Sequence, residues 1–295
     1  MDMAELEIFR EVARQGSVTR AARTLQRVQS NVTTRIQQLE EELGVSLFLR
    51  DSKRMELSAD GERFLLYAEK MLTTAEEAKQ ALHPATPSGV FRVGSMESTT
   101  ASRLPKALLR FHKDNPLVKL ELTTGPSEPL IQSVLAYKLD CVFVAHSAAG
   151  SHRKVRWNDE YPGLDGTYLF PEELRLVAPP GMDKRKLSHG EMGISTIAAF
   201  ANGCTYRKCA EEWVAEQAEP QRWTILEVSS YHAILACIAT GSAIGFLPQS
   251  VLDLYREQIP FEVSPYRPVH TWLVRRADYA APAFEVFLKA VRSLS

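Results

Sequence analysis

The 295-residue chain has little of what marks exported, membrane-spanning or metal-dependent proteins. Its four cysteines, Cys141, Cys204, Cys209 and Cys237, include no C-x-x-C pair, and the start MDMAELEIFR has no basic n-region or apolar h-region of a signal peptide. No apolar run approaches the roughly 18 to 20 residues of a membrane helix. A cytoplasmic chain with reduced thiols and no membrane partner is therefore expected. There is no Gly-rich phosphate loop, no H-E-x-x-H and no G-x-S-x-G, and the seven histidines are not paired at metal-ligand spacing. Nothing thus points to an enzyme, a cofactor or a metal. Excess charge of one sign is missing too: 35 basic and 36 acidic residues give −1. That excludes a chain basic all over, but not a local basic face.

Helical signals fill residues 1 to 82, whereas from Val90 onward short β-rich runs alternate with amphipathic helical stretches. Between the two regimes, His83-Pro84-Ala85-Thr86-Pro87-Ser88-Gly89 carries two prolines and a glycine and reads as a hinge. The expected divisions are 1–59, 60–89 and 90–295.

In the first division, Leu6, Phe9 and Ala13 mark a helix over Met3 to Arg14 that Gly16 ends, and Ser17 is placed to cap a second helix from Val18 to Leu25. Val32, Ile36, Leu39 and Leu43 form the core stripe of a third helix that Gly44 stops. Leu47 to Arg50 and Arg54 to Ser58 read as a two-stranded wing. From Val12 to Leu39 there are five arginines, Arg14, Arg20, Arg23, Arg27 and Arg35, and no acid. A charge run alone is as readily a solvated face. Joined to a polar third-helix face, it predicts a helix-turn-helix reading double-stranded DNA in the major groove. Gln29, Ser30, Asn31 and Thr34 are the base-edge candidates, with Thr33 flanking them and Arg35 placed for a guanine or a phosphate. Arg50, Lys53 and Arg54 on the wing suit phosphates.

From Asp60 to Leu82, residues Phe64, Ala68, Met71, Ala75, Ala78 and Leu82 follow a heptad stripe. Its expected partner is the same helix of a second subunit, with packing on the chain's own second domain as the alternative.

These residues carry a resemblance. Gly16-Ser17-Val18-Thr19, Ala21-Ala22, Leu25, Val32-Thr33, Ile36, Leu39-Glu40, Leu43-Gly44, Leu47-Phe48, Arg50 and Leu57-Ser58-x-x-Gly61 match the LysR-type transcriptional regulator pattern, and the chain resembles that family over essentially its whole length. The resemblance implies an all-α winged helix-turn-helix, a dimerising linker helix and a two-lobed, periplasmic-binding-protein-like α/β effector domain, usually in a homotetramer that engages promoter DNA and recruits RNA polymerase. Val28, Asn31 and Thr34 depart from the common residues, as do Ala243 in Gly241-Ser242-Ala243-Ile244-Gly245-Phe246-Leu247-Pro248 and Tyr137 before Lys138-Leu139-Asp140.

Beyond the hinge, strands at Val90 to Gly94, Val118 to Thr123 and Cys141 to Ala145 alternate with helices at Leu104 to His112 and Leu130 to Tyr137, which predicts a parallel sheet covered by helices. Lobe I is expected at 90–163 and 268–295, and lobe II at 164–267. Ligands in such folds sit beyond the carboxyl ends of strands. Ser98, Thr99, Thr100 and Thr124 are the effector candidates on one side, with Asn202 and Thr205 opposite and Phe246 as an apolar wall. Arg207 is placed to clamp a carboxylate, which favours a small organic or amino acid. For each hydroxyl, helix capping is the competing role. Two rival functions use the same residues: a solute-binding protein or enzyme without regulation, and a redox regulator whose Cys204 and Cys209 pair, as some family members' cysteines do.

Overall fold

The computed structural model describes residues 1–49, 55–147, 155–182, 193–255 and 261–293. Two compact units result, Met1–His83 with Ala136–Lys138, and Pro84–Leu135 with Leu139–Ser295.

In the first unit, helix α1 spans Met3–Gln15, α2 Val18–Thr24, α3 Gln29–Leu43 and α4 Ala59–Ala81. Local chemistry sets each boundary. Asp2 and Glu5 form a reciprocal capping box at the start of α1, and Gly16 ends it at φ 56°, a left-handed conformation that costs glycine little. The Ser17 side chain accepts from the Arg20 N–H to start α2, and Gly44 closes α3 at φ 69°. The stripes then meet: Leu6, Phe9, Val12, Ala21, Ala22, Val32, Ile36 and Leu39 are buried together. Phe9 touches Phe48 and Phe64 at centroid distances of 5.5 and 5.2 Å. Full burial of one such ring stabilises by about 1.5–3 kcal/mol. At the wing base Phe48 pairs antiparallel with Leu57, and Glu40 Oε1 accepts the Leu47 and Phe48 N–H groups at 2.6 and 3.2 Å.

The heptad reading of α4 needs correction. Phe64, Ala68 and Met71 pack into the core of their own unit, so half of the supposed intersubunit seam is already covered. Leu66 and Tyr67 are the exposed apolar residues of that helix half.

The second unit holds strands β1 (Gly89–Ser95), β2 (Val118–Thr124), β3 (Cys141–His146), β4 (Leu164–Ala178), β5 (Thr196–Ala199), β6 (Thr224–Glu227), β7 (Ile244–Pro248) and β8 (Glu262–Arg276). They form one sheet in the order β2-β1-β3-β8-β4-β7-β5-β6. It is mixed rather than parallel: β1 runs parallel to β2 and β3, and β5 to β6 and β7, but β4 and β8 pair antiparallel from Leu164↔Arg276 to Ala178↔Glu262. Only the short outer parts of these two strands read as β in the sequence. Pro171, Pro265 and Pro268, with Glu172 and Glu173, interrupt the apolar pattern of the rest. Through this pair the chain passes from one α/β half to the other and back.

Helices cover the sheet: α5 (Glu97–Ser102), α6 (Leu104–Asp114), α7 (Ser127–Leu135), α8 (Trp157–Glu160), α9 (Thr205–Ala215), α10 (Tyr231–Ala239), α11 (Gln249–Leu252) and α12 (Pro282–Arg292). In one half Phe91, Phe111, Phe143 and Phe287 form a buried aromatic cluster. In the other, Ile197, Tyr206, Cys209, Ile244 and Phe246 share a core.

Candidate functional site

The polar side of α3 is the first candidate surface. Because Val32, Ile36 and Leu39 face the core, Gln29, Ser30, Asn31, Thr33 and Thr34 are turned to solvent near the helix start. Thr19 donates to Oε1 of the exposed Gln29 at 3.1 Å, an arrangement that leaves the Gln29 amino group's own donors uncommitted to this bond. The Thr33 hydroxyl is bonded back to the Gln29 carbonyl at 3.1 Å.

The arginines are less segregated in space than in sequence. Arg35 pairs with Glu5 at 3.1 Å and with Asp2 at 3.8 Å, and Arg14 holds Glu11 through two bonds of 2.9 and 3.0 Å. Helix α1 therefore supplies the acids that the stretch from Val12 to Leu39 lacks. Arg20, Arg23 and Arg27 stay exposed beside α3. Arg50, Lys53 and Arg54 lie outside the described residues.

The second candidate is a pair of cavities where the two halves of the α/β unit meet. The β1–β2 register sets Ser95 beside Thr124, so both strands release their chains at one edge. Thr124, Glu97, Met96 and Ser127 line a cavity of about 420 Å³ from one half, and Phe200, Ala201, Thr205, Tyr206, Glu227, Ser229 and Tyr231 from the other. A larger cavity of about 720 Å³ contains His146, Trp157, Glu160, Tyr161, Asn202, Arg207 and Lys208. Ser127, Cys204 and Thr205 are common to both. The Thr205 hydroxyl donates to the Ala145 carbonyl at 2.9 Å and lies 3.2 Å from Ser127 Oγ. Beside it, the Glu128 N–H reaches the Gly203 carbonyl at 3.1 Å. Gly203 has φ 87°, and a Cβ there would come within 2.9 Å of the Pro129 ring, so this contact between the halves requires glycine.

Of the sequence candidates, Thr124 and Thr205 border the smaller cavity, and Asn202, Thr205 and Arg207 the larger. Ser98 and Thr99 are buried on α5, and Thr100 spends its hydroxyl on the Met96 carbonyl at 3.0 Å; none of the three lines either cavity. Phe246 is a core residue between Trp213 and Tyr266, with centroids 5.6 and 4.8 Å away. Arg207 does not present a free guanidinium: it bonds Glu211 and Glu227, each at 2.8 Å, and the Phe200 carbonyl at 3.2 Å.

Sequence reasoning missed Glu97, Phe200, Tyr206 and Tyr231. Glu97 is half-buried at the start of α5, and its Oε1 accepts the Tyr231 N–H at 3.5 Å. Burial pushes its carboxyl up from the ordinary glutamate value, while the Tyr231 N–H and His232 oppose the rise. A glutamate directly after a strand end was the available signal. Phe200 and Tyr206 share the stretch from the end of β5 into α9, and Tyr231 joins them only in the fold.

The cysteines are all free. Cys204 caps α9 and faces the N–H groups of Tyr206 and Arg207, yet burial prevails and raises its thiol pKa. Burial likewise pushes Cys209 up to about 11. Both shifts favour the protonated, less reactive thiol, which does not support the rival redox reading.

Residues 3–62 match the family model described as "Bacterial regulatory helix-turn-helix protein, lysR family", and residues 84–295 match "LysR substrate binding domain". The chain is 34% identical over 299 residues to the HTH-type transcriptional regulator GltR of Bacillus subtilis, covering 99% of this chain and 96% of that protein. It is 35% identical over 302 residues to CzcR of Bacillus thuringiensis, covering 99% and 97%. Among solved structures, a full-length OxyR variant from Pseudomonas aeruginosa matches with a TM-score of 0.73 at 21% identity, covering 100% of this chain and 96% of that one. Full-length CbnR in complex with its target DNA matches with a TM-score of 0.61 at 22% identity, covering 100% of both chains. These two share the fold. A helix-turn-helix with an exposed polar third helix, a two-part α/β unit enclosing a cavity, and matches across both parts lead to one conclusion: the chain belongs to the LysR family of DNA-binding transcriptional regulators with an effector-binding domain.

Proposed function

We propose that α3 reads bases in the major groove through Gln29, Ser30, Asn31 and Thr34, flanked by Thr33, while Arg23 and Arg27 neutralise phosphates beside it. Arg35 contributes to DNA once it leaves Glu5, and Arg50, Lys53 and Arg54 extend the phosphate contacts. A homodimer through α4, assembled into a homotetramer, places such helices on spaced half-sites. Leu66 and Tyr67, rather than the Phe64 side of the helix, supply its apolar contact. The effector is a small organic molecule or amino acid held in the cavity between Thr124 and Tyr206. The observation that carries this reading is that cavity itself, enclosed by both halves of the unit that matches the family description "LysR substrate binding domain". An effector shifts the regulator only through unequal affinity for its two states, so closing the halves on a ligand must alter the relation of subunits on DNA. Contact with RNA polymerase is the downstream step.

The test is a promoter reporter in cells carrying wild type or Ala201→Trp, which fills the cavity. Retained promoter occupancy with loss of response to inducing growth conditions supports the assignment. An unchanged response in a variant of confirmed occupancy and fold removes it.

A further inference from the structure

We propose that the smaller cavity selects a ligand bearing a positively charged amine, primary or quaternary, held by the Glu97 carboxylate against the faces of Phe200, Tyr206 and Tyr231. This rests on reading that cavity as the effector site and deepens it.

The lining of the cavity is acidic. Its ionisable acids are Glu97 and Glu227, and no lysine, arginine or histidine is among the lining residues. Arg207, the nearest guanidinium in sequence, is already bound to Glu211, Glu227 and the Phe200 carbonyl. Glu227 thus has its cation and sits at the rim with its side chain 59% exposed. Glu97 does not: among the described residues its hydrogen bond is the long one from Tyr231 N–H, with His232 acting only at a distance. A half-buried carboxylate without a cation is a poor neighbour for a ligand carboxylate and a good one for an ammonium.

The start of α10 does not reverse this preference. There the Tyr231 N–H is directed at Glu97 and the Ala233 N–H at Ser230 Oγ, 3.2 Å away. The donors that would attract an anion at this helix start are therefore taken by the protein's own side chains.

The lining is also aromatic. Phe200 and Tyr231 meet edge to face with centroids 4.9 Å apart, and Tyr206 borders the same space. Ring faces set at an angle beside a carboxylate attract a cation through the ring quadrupole and bury its alkyl groups. Met96 and Val228 complete an apolar wall.

The experiment uses the full-length protein and four probes of one chain length: n-pentylammonium, n-pentyltrimethylammonium, n-pentanol and n-pentanoate, titrated calorimetrically at constant ionic strength. Binding of either ammonium at least about tenfold tighter than pentanoate, lost about tenfold or more in Glu97→Gln while pentanol binding is kept, is the expected result. Ala201→Trp should abolish binding of every probe. Pentanoate binding as tightly as the ammoniums, and abolished by Ala201→Trp, overturns the charge preference and leaves the effector site standing. Ammonium binding that survives Ala201→Trp overturns both, and failure of both ammoniums to bind wild type overturns the proposal.

Discussion

The Thr205 hydroxyl donates to the Ala145 carbonyl at 2.9 Å, tying the start of α9 to the end of β3 across the junction of the two halves. Thr205→Val keeps the shape and removes the donor. Loss of one such bond costs about 0.5–1.5 kcal/mol. The closed arrangement should lose that much against an open one, so a ligand of the cavity should bind a few-fold more weakly to the variant. Titration of any confirmed ligand checks this; unchanged affinity would show that the bond does not favour the binding-competent state.

Gly61 answers to a different constraint. A Cβ there would lie 2.0 Å from the Leu47 carbonyl oxygen, so the start of α4 can approach the wing base only without a side chain. Gly61→Ala forces the two apart, and overpacking of this kind costs about 1–3 kcal/mol. A lowered denaturation midpoint with weakened DNA binding is expected, and Gly44→Ala, with nothing within 4 Å, serves as a comparison limited to the strain of its positive φ.

Burial raises the Glu97 carboxyl above its ordinary value, which gives a pH dependence with a definite sign. A folded-state carboxyl with raised pKa contributes its stability below the unfolded value and loses it as pH rises through the folded value. In the ligand-free protein, Glu97→Gln should therefore gain stability relative to wild type as pH rises across that window. The groups facing Glu97 are His232, Tyr231 and Tyr255, with Glu227 on the same cavity. Because His232 acts on Glu97 through its charge, the scan is repeated in a His232→Gln background. A Tm difference that is flat or falls with pH would contradict the assignment.

Leu66 and Tyr67 carry the dimer prediction. Charged substitution of both, Leu66→Glu with Tyr67→Glu, should shift the sedimentation of the full-length protein toward the monomer with little change in Tm, because both side chains are exposed. An unchanged assembly would place the dimer contact elsewhere.

The parts of this molecule legible in the sequence are those governed by neighbours along the chain. Ser17, Gly16 and Gly44 were readable as caps because capping is chemistry over three or four residues, and Val32, Ile36 and Leu39 because helical period alone assigns them to one face. Phe246 was not, since all of β7 is buried and offers no alternation from which to choose a side. Arg207 looked like a ligand clamp because its partner Glu227 comes from β6 and only the fold joins the two, although Glu211, four residues along α9, was already within helical reach. The acid-free arginine stretch is less one-sided in space than in sequence, because Glu11 reaches back to Arg14 within α1 and Glu5 meets Arg35 through the fold. Tyr137, standing where the family usually has glycine, adopts φ 59°, which accounts for the common residue there.

Whether the α3 face specifies the DNA this regulator binds is decided by selecting duplexes from a random pool with wild type, Asn31→Ala and Arg27→Ala, then measuring affinities at several salt concentrations. Wild type should select one motif, Asn31→Ala should relax one position of it at a cost of about 1–3 kcal/mol, and Arg27→Ala should keep the motif while lowering the salt slope by about one. Selection of no motif by wild type, or the same motif at unchanged affinity from all three proteins, would contradict that role of α3.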